Sequence, residues 1–488
     1  LLGQARQVTG TVTDALDGTT LIGVTVLIKG TTTGATTDIN GRYQINASPA
    51  DVLIFRFVGM ESVEEQVGER SVINVALVPS ATTLQQVVVT ALGIEREVRT
   101  LTYNVQNMNS EDILSSRQEN LVNALQGRVS GVQITSTGGA PGAASEIILR
   151  GATSVDGENQ PLFVIDGIPI SNASVRGTTN RAADINPSDI ESMSILKGAA
   201  AAALYGIDAA NGAIIITTKR GKEGAISVGL STSTTLSQVG LLHQVQNNYS
   251  TGSAGLFNPR TFSHWGPPLL RSDHAYDNLG NFFETGMANK VDANVSGGTS
   301  NMTYYLALSS LGDDGIVPNT FYGRNSAMLT GTLKISPKIS LTTSSSIMKT
   351  NNQTGIFSAS GGWLMNVYRW PRWDNMVDYL NTDGSERNVW IPLSGNLAEA
   401  PDNPMWSAYH QVRKDNVSRN INSFNLTYQP LEWLTVNYTA GRDYFQQHYK
   451  AVSEPGSAGS AAYEGAISEF DRESEKITST LVVTADYD

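Results

Sequence analysis

Enzymatic chemistry needs reactive groups at set spacings, and this 488-residue chain offers few. It has no cysteine, which excludes disulfides, thiolate metal sites and thiol nucleophiles. The five histidines, His243, His264, His274, His410 and His448, are scattered, and none stands in an HExxH or paired metal spacing. No nucleophile elbow, phosphate loop or dinucleotide fingerprint is present. Asp38-Ile39-Asn40-Gly41 lacks the spaced oxygen ligands and closing Glu of a calcium loop, so it reads as a hairpin turn. The expectation is a protein that is not an enzyme and has no catalytic residue, metal site or cofactor.

Two stretches carry groups suited to non-covalent recognition. The first is LQQVVVTALGI (Leu84–Ile94). Its segment Leu84, Gln85, Gln86, Val87, Val88, Val89, Thr90 and Ala91 favours an extended chain, because branching at Val87–Val89 restricts χ1. An unpaired strand of this kind can add to the edge of a partner's sheet. The alternative is that it closes the domain before it or opens the domain after it. The second stretch is WLMNVYRWPRW, which supplies Trp363, Tyr368, Trp370 and Trp373 as candidate contacts for a bound molecule. Trp265, Tyr379, Trp390 and Trp406 lie in the same long polar links. The alternative for all of them is an interface girdle or loop packing.

Composition limits what these stretches can serve. Only 16% of residues are charged, 40% are hydrophobic, and Gly is frequent at 46, which suits strands and turns. The net charge is −12 and no basic stripe with aromatics appears, so nucleic acid is not an expected partner. No run of about 18 apolar residues exists, so no transmembrane helix is available. Residues 1–5, LLGQA, read as a signal-peptide remnant, with Gly3 and Ala5 at cleavage-like spacing.

The elements that would position these stretches fall into blocks. Residues 6–80 show short alternating strands with turn signals, the pattern of a small β-sandwich. Residues 81–99 form a linker. Residues 100–224 mix short helices and strands into an α+β domain. Leu121 and Leu125 share a helix face before Gly127, and Ser188-Asp189-Ile190-Glu191 fits a capping box. From residue 225 to 488, segments such as NMTYYLALSS, AMLTGTLKIS and ISLTTSSSIM alternate polar and apolar positions. Their polar face is Ser, Thr, Asn and Gly, the pattern of a transmembrane antiparallel β-barrel with a lipid face and a polar lumen. Ser336-Pro337-Lys338 and Gln429–Glu432 read as short periplasmic turns, and Asn247–Asn289 and Asn351–Asp415 as extracellular loops. A secreted, adhesive β-protein is the rival reading.

Several long motifs resemble the SusC/RagA family of TonB-dependent outer-membrane transporters. They are ALQGRVSGVQI (Ala124–Ile134), ILRG (Ile148–Gly151), PLFVIDGIPI (Pro161–Ile170) and the stretch INPSDIESMSILKGAAAAALYGIDAANGAIIITTKRGKEG (Ile185–Gly224). Gly198-Ala199-Ala200 departs from the acidic or Ser-containing sequence often found there in the family. The resemblance implies a carboxypeptidase-regulatory-like sandwich, a plug domain and a barrel of 22 strands when complete. It makes Leu84–Ala91 a TonB box. It also implies TonB with its ExbB/ExbD energising complex, a SusD-like surface lipoprotein as lid, a dimer of transporter–lipoprotein pairs, outer-membrane lipid around the barrel, and oligosaccharide or oligopeptide cargo. A siderophore or cobalamin receptor of the wider class is the alternative.

Within that reading, Arg150 of ILRG is a candidate for seating the plug against a wall carboxylate, or else an exposed strand end. Asp166 of VIDG is a seating candidate or a turn residue. One inconsistency follows from size. Roughly eight to ten strand candidates follow Ala225, and a barrel of about eight strands is filled by its own side chains. The expectation is therefore that these residues are the N-terminal part of a longer chain.

Overall fold

Alternation with a period of two dominates the sequence, and the strands follow it. The computed structural model describes all residues except 1–5, 16–17, 32, 58–59, 79–86, 90–94, 98–104, 137–138, 153–158, 173–179, 271–274, 356–361, 391–399, 458–463 and 487–488. The chain divides into two compact units: Leu1–Val87 with Glu97–Arg99, and Val88–Arg96 with Thr100–Asp488.

The first unit holds seven strands: β1 (Arg6–Asp14), β2 (Thr25–Ile28), β3 (Gly34–Thr36), β4 (Arg42–Ala47), β5 (Val52–Arg56), β6 (Val63–Gln66) and β7 (Val75–Leu77). They form two sheets, in the orders β4-β1-β7 and β3-β2-β5-β6. Inward positions of both sheets, among them Val8, Val12, Val26, Tyr43, Leu53 and Phe55, make one apolar core. The Asp38 carboxylate accepts the Asn40 and Arg42 amides at 2.9 and 2.8 Å. The Asp38–Gly41 segment is thus a self-capped turn between β3 and β4. β8 (Val87–Val89) and β9 (Glu95–Glu97) follow as a separate two-stranded sheet.

The second unit begins with an α+β domain. Its strands are β10 (Val105–Asn109), β11 (Val132–Ser136), β12 (Ser145–Leu149), β13 (Leu162–Ile165), β14 (Ile168–Ile170), β15 (Ile190–Leu196) and β16 (Ala213–Thr218). Its helices are α1 (Ser110–Ser115), α2 (Leu121–Ala124) and α3 (Ala199–Tyr205). Five strands pair in the order β10-β15-β16-β13-β14. The central strand β16, AIIITT, is apolar on both faces because elements cover both sides. Leu121 and Leu125 both enter the core, as their spacing predicts. The Ser188–Glu191 capping box does not form. Pro187–Asp189 is a single 3-10 turn capped by Asn186, and Ile190 and Glu191 already belong to β15. Sheet pairing with β10 and β16 overrides the local helix signal. The capping box of this domain lies instead at Asn109 and Asp112, on α1.

Eight long strands complete the unit: β17 (Gly224–Ser237), β20 (Gly286–Gly298), β21 (Met302–Asp314), β22 (Phe321–Ser336), β23 (Ile339–Gly355), β24 (Gln411–Leu431), β25 (Leu434–Ser453) and β26 (Ala466–Ala485). They pair antiparallel in chain order, and β17 and β26 are the edges of this open sheet among the described residues. One face carries exposed apolar side chains such as Leu230, Leu306, Leu308, Leu329, Ile347 and Leu481. The other face carries buried polar groups, including Ser309, Arg324, Thr330, Ser344, Arg419 and Asp443, turned to the α+β domain. This alternation is that of a membrane β wall around a filled lumen. The links at one end are two to three residues long. Those at the other end hold the hairpin β18 (Gly252–Ser253) and β19 (Leu256–Phe257), with α4 (Asn278–Phe282), α5 (Gly362–Arg369) and α6 (Pro404–His410). The two long links share a core of Leu279, Phe282, Val367, Trp370, Met376 and Met405. No helix among the described residues is long and apolar enough to cross a membrane.

The first unit has its own core, so residues 1–87 should fold alone into a soluble β domain by circular dichroism. Gly10 in β1 is its tightest point: a Cβ there would lie 1.8 Å from the Ile73 carbonyl oxygen. Gly10→Ala should lower the melting temperature of this fragment by more than 10 °C, since overpacking costs about 1–3 kcal/mol or more. An unchanged melting curve would remove this account of the β1–β7 packing.

Candidate functional site: the seat of the plug and the cavity above it

Two wall arginines reach into the lumen and close on one turn of the α+β domain, Arg181–Asn186. Arg419 of β24 donates to both carboxylate oxygens of Asp443 on β25, each at 2.8 Å. The strand register brings the pair together: Arg419 stands opposite Phe445 and Ile421 opposite Asp443, so they meet on the diagonal. The guanidinium also donates to the carbonyls of Arg181 and Ser171 at 2.7 and 2.9 Å. Asp443 in turn accepts the Ser171 amide at 2.9 Å. Arg181 pairs with Asp184 at 3.4 Å and with Asp415 of β24 at 3.6 Å. The buried Phe445 ring lies between Arg181 and Arg419, 6.0 and 5.9 Å from their guanidinium carbons.

From the other side, Arg324 of β22 donates to the carbonyls of Glu119, Ala183 and Ile185 at 3.1, 3.2 and 3.4 Å. Beside it, Lys290 of β20 pairs with Glu119 at 3.2 Å and donates to the Ser188 hydroxyl at 3.1 Å. Asp292 accepts from Ser188 and Asn186 at 3.0 and 3.3 Å. Asp189, buried next to Asp292, has its carboxyl pushed up to about 6, by burial first and by that neighbour second. Close apolar contacts complete the seat. Ile168 packs where Gly441 has no side chain, and the Tyr322 ring covers Gly142. A Cβ at Gly441 would come within 2.3 Å of Ile168, so glycine permits the approach.

The expected seating residues stand elsewhere. Arg150 is exposed at the end of β12, in a left-handed backbone conformation with φ 60°. It forms no ion pair among the described residues and lies near Lys197, a like charge. Asp166, with φ 47°, forms the β13–β14 turn, and its carboxylate accepts the Thr218 amide and hydroxyl at 3.0 and 2.6 Å. Its backbone carbonyl accepts from the wall, from Asn425 Nδ2 at 3.4 Å. Sequence reading missed Arg181, Arg324, Arg419 and Asp443. For Arg324, Arg419 and Asp443 the one available signal was a charge at an inward position of a strand whose polar face is mostly uncharged.

The four aromatic candidates separate. Trp363 stacks on Phe282 at 5.1 Å and lines a cavity of about 620 Å³ above the plug turn Gly139–Ala140. Tyr368 lines the same cavity, and its hydroxyl accepts the His243 amide at 3.3 Å. Trp370 does not face this cavity. It is 0% exposed, stacks on Trp390 at 5.7 Å and donates its indole N–H to Asp374 at 3.0 Å. Trp373 donates to Thr251 at 3.0 Å and meets Phe257 edge-on, which ties the two long links together. Of the segment Leu84–Ala91, only Val87–Val89 falls among the described residues. It pairs with Glu95–Glu97 and joins neither the sandwich sheets nor the five-stranded sheet. Leu84, Gln85, Gln86, Thr90 and Ala91 lie outside the described residues. No group of three or more metal-ligating His, Cys, Asp or Glu side chains occurs among the described residues.

A β wall with an apolar exterior, holding an α+β domain in its lumen by polar contacts, defines a plugged membrane receptor. Comparison with known proteins agrees. Residues 97–213 match the TonB-dependent Receptor Plug Domain, and residues 8–89 match a CarboxypepD_reg-like domain. The chain is 29% identical to the TonB-dependent receptor SusC of Bacteroides thetaiotaomicron, over 94% of this chain and 46% of that protein. It is 36% identical to TonB-dependent receptor P26 of Formosa agariphila, over 64% of this chain and 31% of that protein. A solved structure of the RagAB peptide importer in its open-open state superposes with a TM-score of 0.64 at 22% identity, covering 82% of this chain and 46% of that one. The chain is thus similar, over most of its length, to TonB-dependent receptors of the SusC/RagA kind. It spans about half the length or less of the curated relatives it matches.

Two predictions follow from the site. In the full-length protein, Asp443→Ala leaves buried Arg419 with only the longer Asp184 contact, at 3.5 Å, and should cost about 3–5 kcal/mol. The loss would appear as reduced hydrogen-exchange protection of Ser171 and residues 181–186. The apolar pair Arg419→Met with Asp443→Leu should cost less than either single change; an equal or larger loss would contradict the pairing. The second concerns Glu386 in the long link. Burial, and then Asp402 beside it, hold its carboxyl well above its ordinary value of 4.5. The folded link therefore binds a proton that the unfolded link releases, and its stability falls as pH rises above that value. Limited proteolysis of the link should accelerate between about pH 5 and pH 8, and Glu386→Gln should flatten that dependence.

Proposed function

We propose that the protein carries out TonB-dependent active import of oligosaccharides or oligopeptides across the outer membrane. One observation carries this reading: the plug is held in the lumen by a few buried polar contacts centred on Arg181–Asn186. Such contacts are strong while dry and are replaced by water contacts once the turn moves. A plug secured this way can be displaced without unfolding the wall.

In this reading the Leu84–Ala91 segment is the TonB box, on the periplasmic side with the N-terminus. TonB, energised by ExbB and ExbD, adds its own strand there, and several backbone hydrogen bonds loaded together transmit the pull. A SusD-like lipoprotein closes over the long links, and the importers work as a dimer of such pairs. Cargo binds above the plug before the plug moves. The likeness to SusC supports the class of transporter.

Deleting Leu84–Ala91 in the full-length protein should abolish uptake of cargo while leaving cargo binding at the cell surface intact. Uptake at the original rate would sink the assignment of this segment. Loss of surface binding as well would mean that the deletion disturbs the plug itself.

A further inference from the structure

Two cavities meet over the plug, and their chemistry differs. The first, of about 620 Å³, is walled by Trp363, Tyr368, Phe283, Leu242 and Val317. Among the described residues, no Asp, Glu, Lys, Arg, Asn or Gln lines it. The second, of about 420 Å³, is lined by Glu119, Asp313 and Asp314, with Arg117 on the same wall. Gly139 and Ala140 of the plug turn and Ile316 of the β21–β22 link line both, so turn and link together form their shared wall. Glu119 is engaged with Lys290 and Arg324 at 3.2 and 3.6 Å. Asp313 has two carboxylates, Glu119 and Asp314, as its charged neighbours.

Resting on the import reading above, we propose that these cavities form one site for a cationic, amphipathic oligopeptide. An apolar or aromatic side chain fills the first cavity, and an amine of the same peptide sits beside Asp313 and Asp314. The volume of the first cavity lies within the range of small-molecule sites.

Glycans fit the first cavity poorly. A sugar presents hydroxyls around its ring, and each one buried without a partner costs about 1–3 kcal/mol. The polar groups of this wall are partly committed already. The Tyr368 hydroxyl accepts the His243 amide, and the Thr320 hydroxyl donates to the Val317 carbonyl at 2.7 Å. The forked side chains that pair with neighbouring hydroxyls are absent from the described lining. One face of Trp363 is covered by Phe282, which leaves the ring as a wall more than as an open platform. Three carboxylates against the one guanidinium of Arg117 leave the described lining of the second cavity net acidic, so it attracts a cation and repels an acidic peptide.

The test is calorimetry on the full-length protein purified from the outer membrane. The probes are Lys-Phe-Lys amide, Glu-Phe-Glu amide, Lys-Gly-Lys amide and the neutral hexasaccharide cellohexaose. Lys-Phe-Lys amide should bind at least about tenfold more tightly than either other peptide, and cellohexaose should give no heat. A Cβ at Gly139 meets no atom within 4 Å, so larger side chains there enter the cavities without striking the backbone. Gly139→Phe should abolish peptide binding and Gly139→Ala should retain it. Asp313→Asn with Asp314→Asn should erase the preference for Lys over Glu. Binding of cellohexaose that Gly139→Phe abolishes would overturn the peptide assignment. Peptide binding that survives Gly139→Phe, or no binding of any probe, would overturn the site. Binding is measured without TonB, so these outcomes are independent of uptake. A failed import reading would show instead as normal uptake after deletion of Leu84–Ala91.

Discussion

A β wall with an apolar exterior must be polar within, and the rest of this structure follows from that constraint. Strand alternation sends Leu306, Leu329 and Ile347 outward and Ser309, Thr330 and Ser344 inward. The plug therefore meets a surface that it cannot hold by apolar burial alone. Met348 and Ile421 are the wall side chains that join its core. The remaining grip falls to charge-assisted hydrogen bonds, and Arg419 with Asp443 is the best formed of them. Bidentate geometry and complete burial make this pair strong relative to its broken state. Measured against water-solvated ions, its net contribution is small. The same physics fixes the plug in one place through contacts whose net contribution is small.

The long links obey a different rule. They lie beyond the paired strands at one end of the wall, so they must build their own core. Phe282, Trp370, Met376 and Met405 supply it, and Asn278 satisfies the buried backbone around it by donating to Pro371 and Asp374. This core fixes α5, and α5 fixes the direction of Trp363 and Tyr368. Aromatic residues within one eleven-residue stretch thus divide between scaffold and cavity.

That division explains what the sequence could reveal. Period-two alternation is local, so all eight wall strands were legible, as were the sandwich and the plug motifs. The long links were legible as links. The plug seat was not, because Arg419 and Asp443 are 24 positions apart and meet only through the β24–β25 register. Arg181 and Arg324 give no local sign of sharing one turn. Ser188–Glu191 misled because its capping pattern is local while its fate is set by β10 and β16 on either side. Trp370 and Trp363 look alike in sequence. Only the packing of the second link on the first separates the buried ring from the one at the cavity.

The order of the plug sheet bears on how a pull would travel. β10 is the edge strand nearest the linker in sequence, paired with β15 from Val105 opposite Leu196 to Asn109 opposite Ser192. Force arriving from the N-terminal side loads the Val105 end first. An edge strand pulled from one end opens its pairs in sequence, each at about 1 kcal/mol net, whereas a strand pulled in shear must break them together. The opening runs along β15 toward Ile190, which follows the Arg181–Asn186 turn that Arg324 and Arg419 hold. Once β10 is gone, water reaches the edge of β15 and then the turn. The buried ion pairs lose the dry surroundings that made them strong. The edge strand whose pairs open one at a time is thus joined, through β15, to the turn that carries the buried ion pairs.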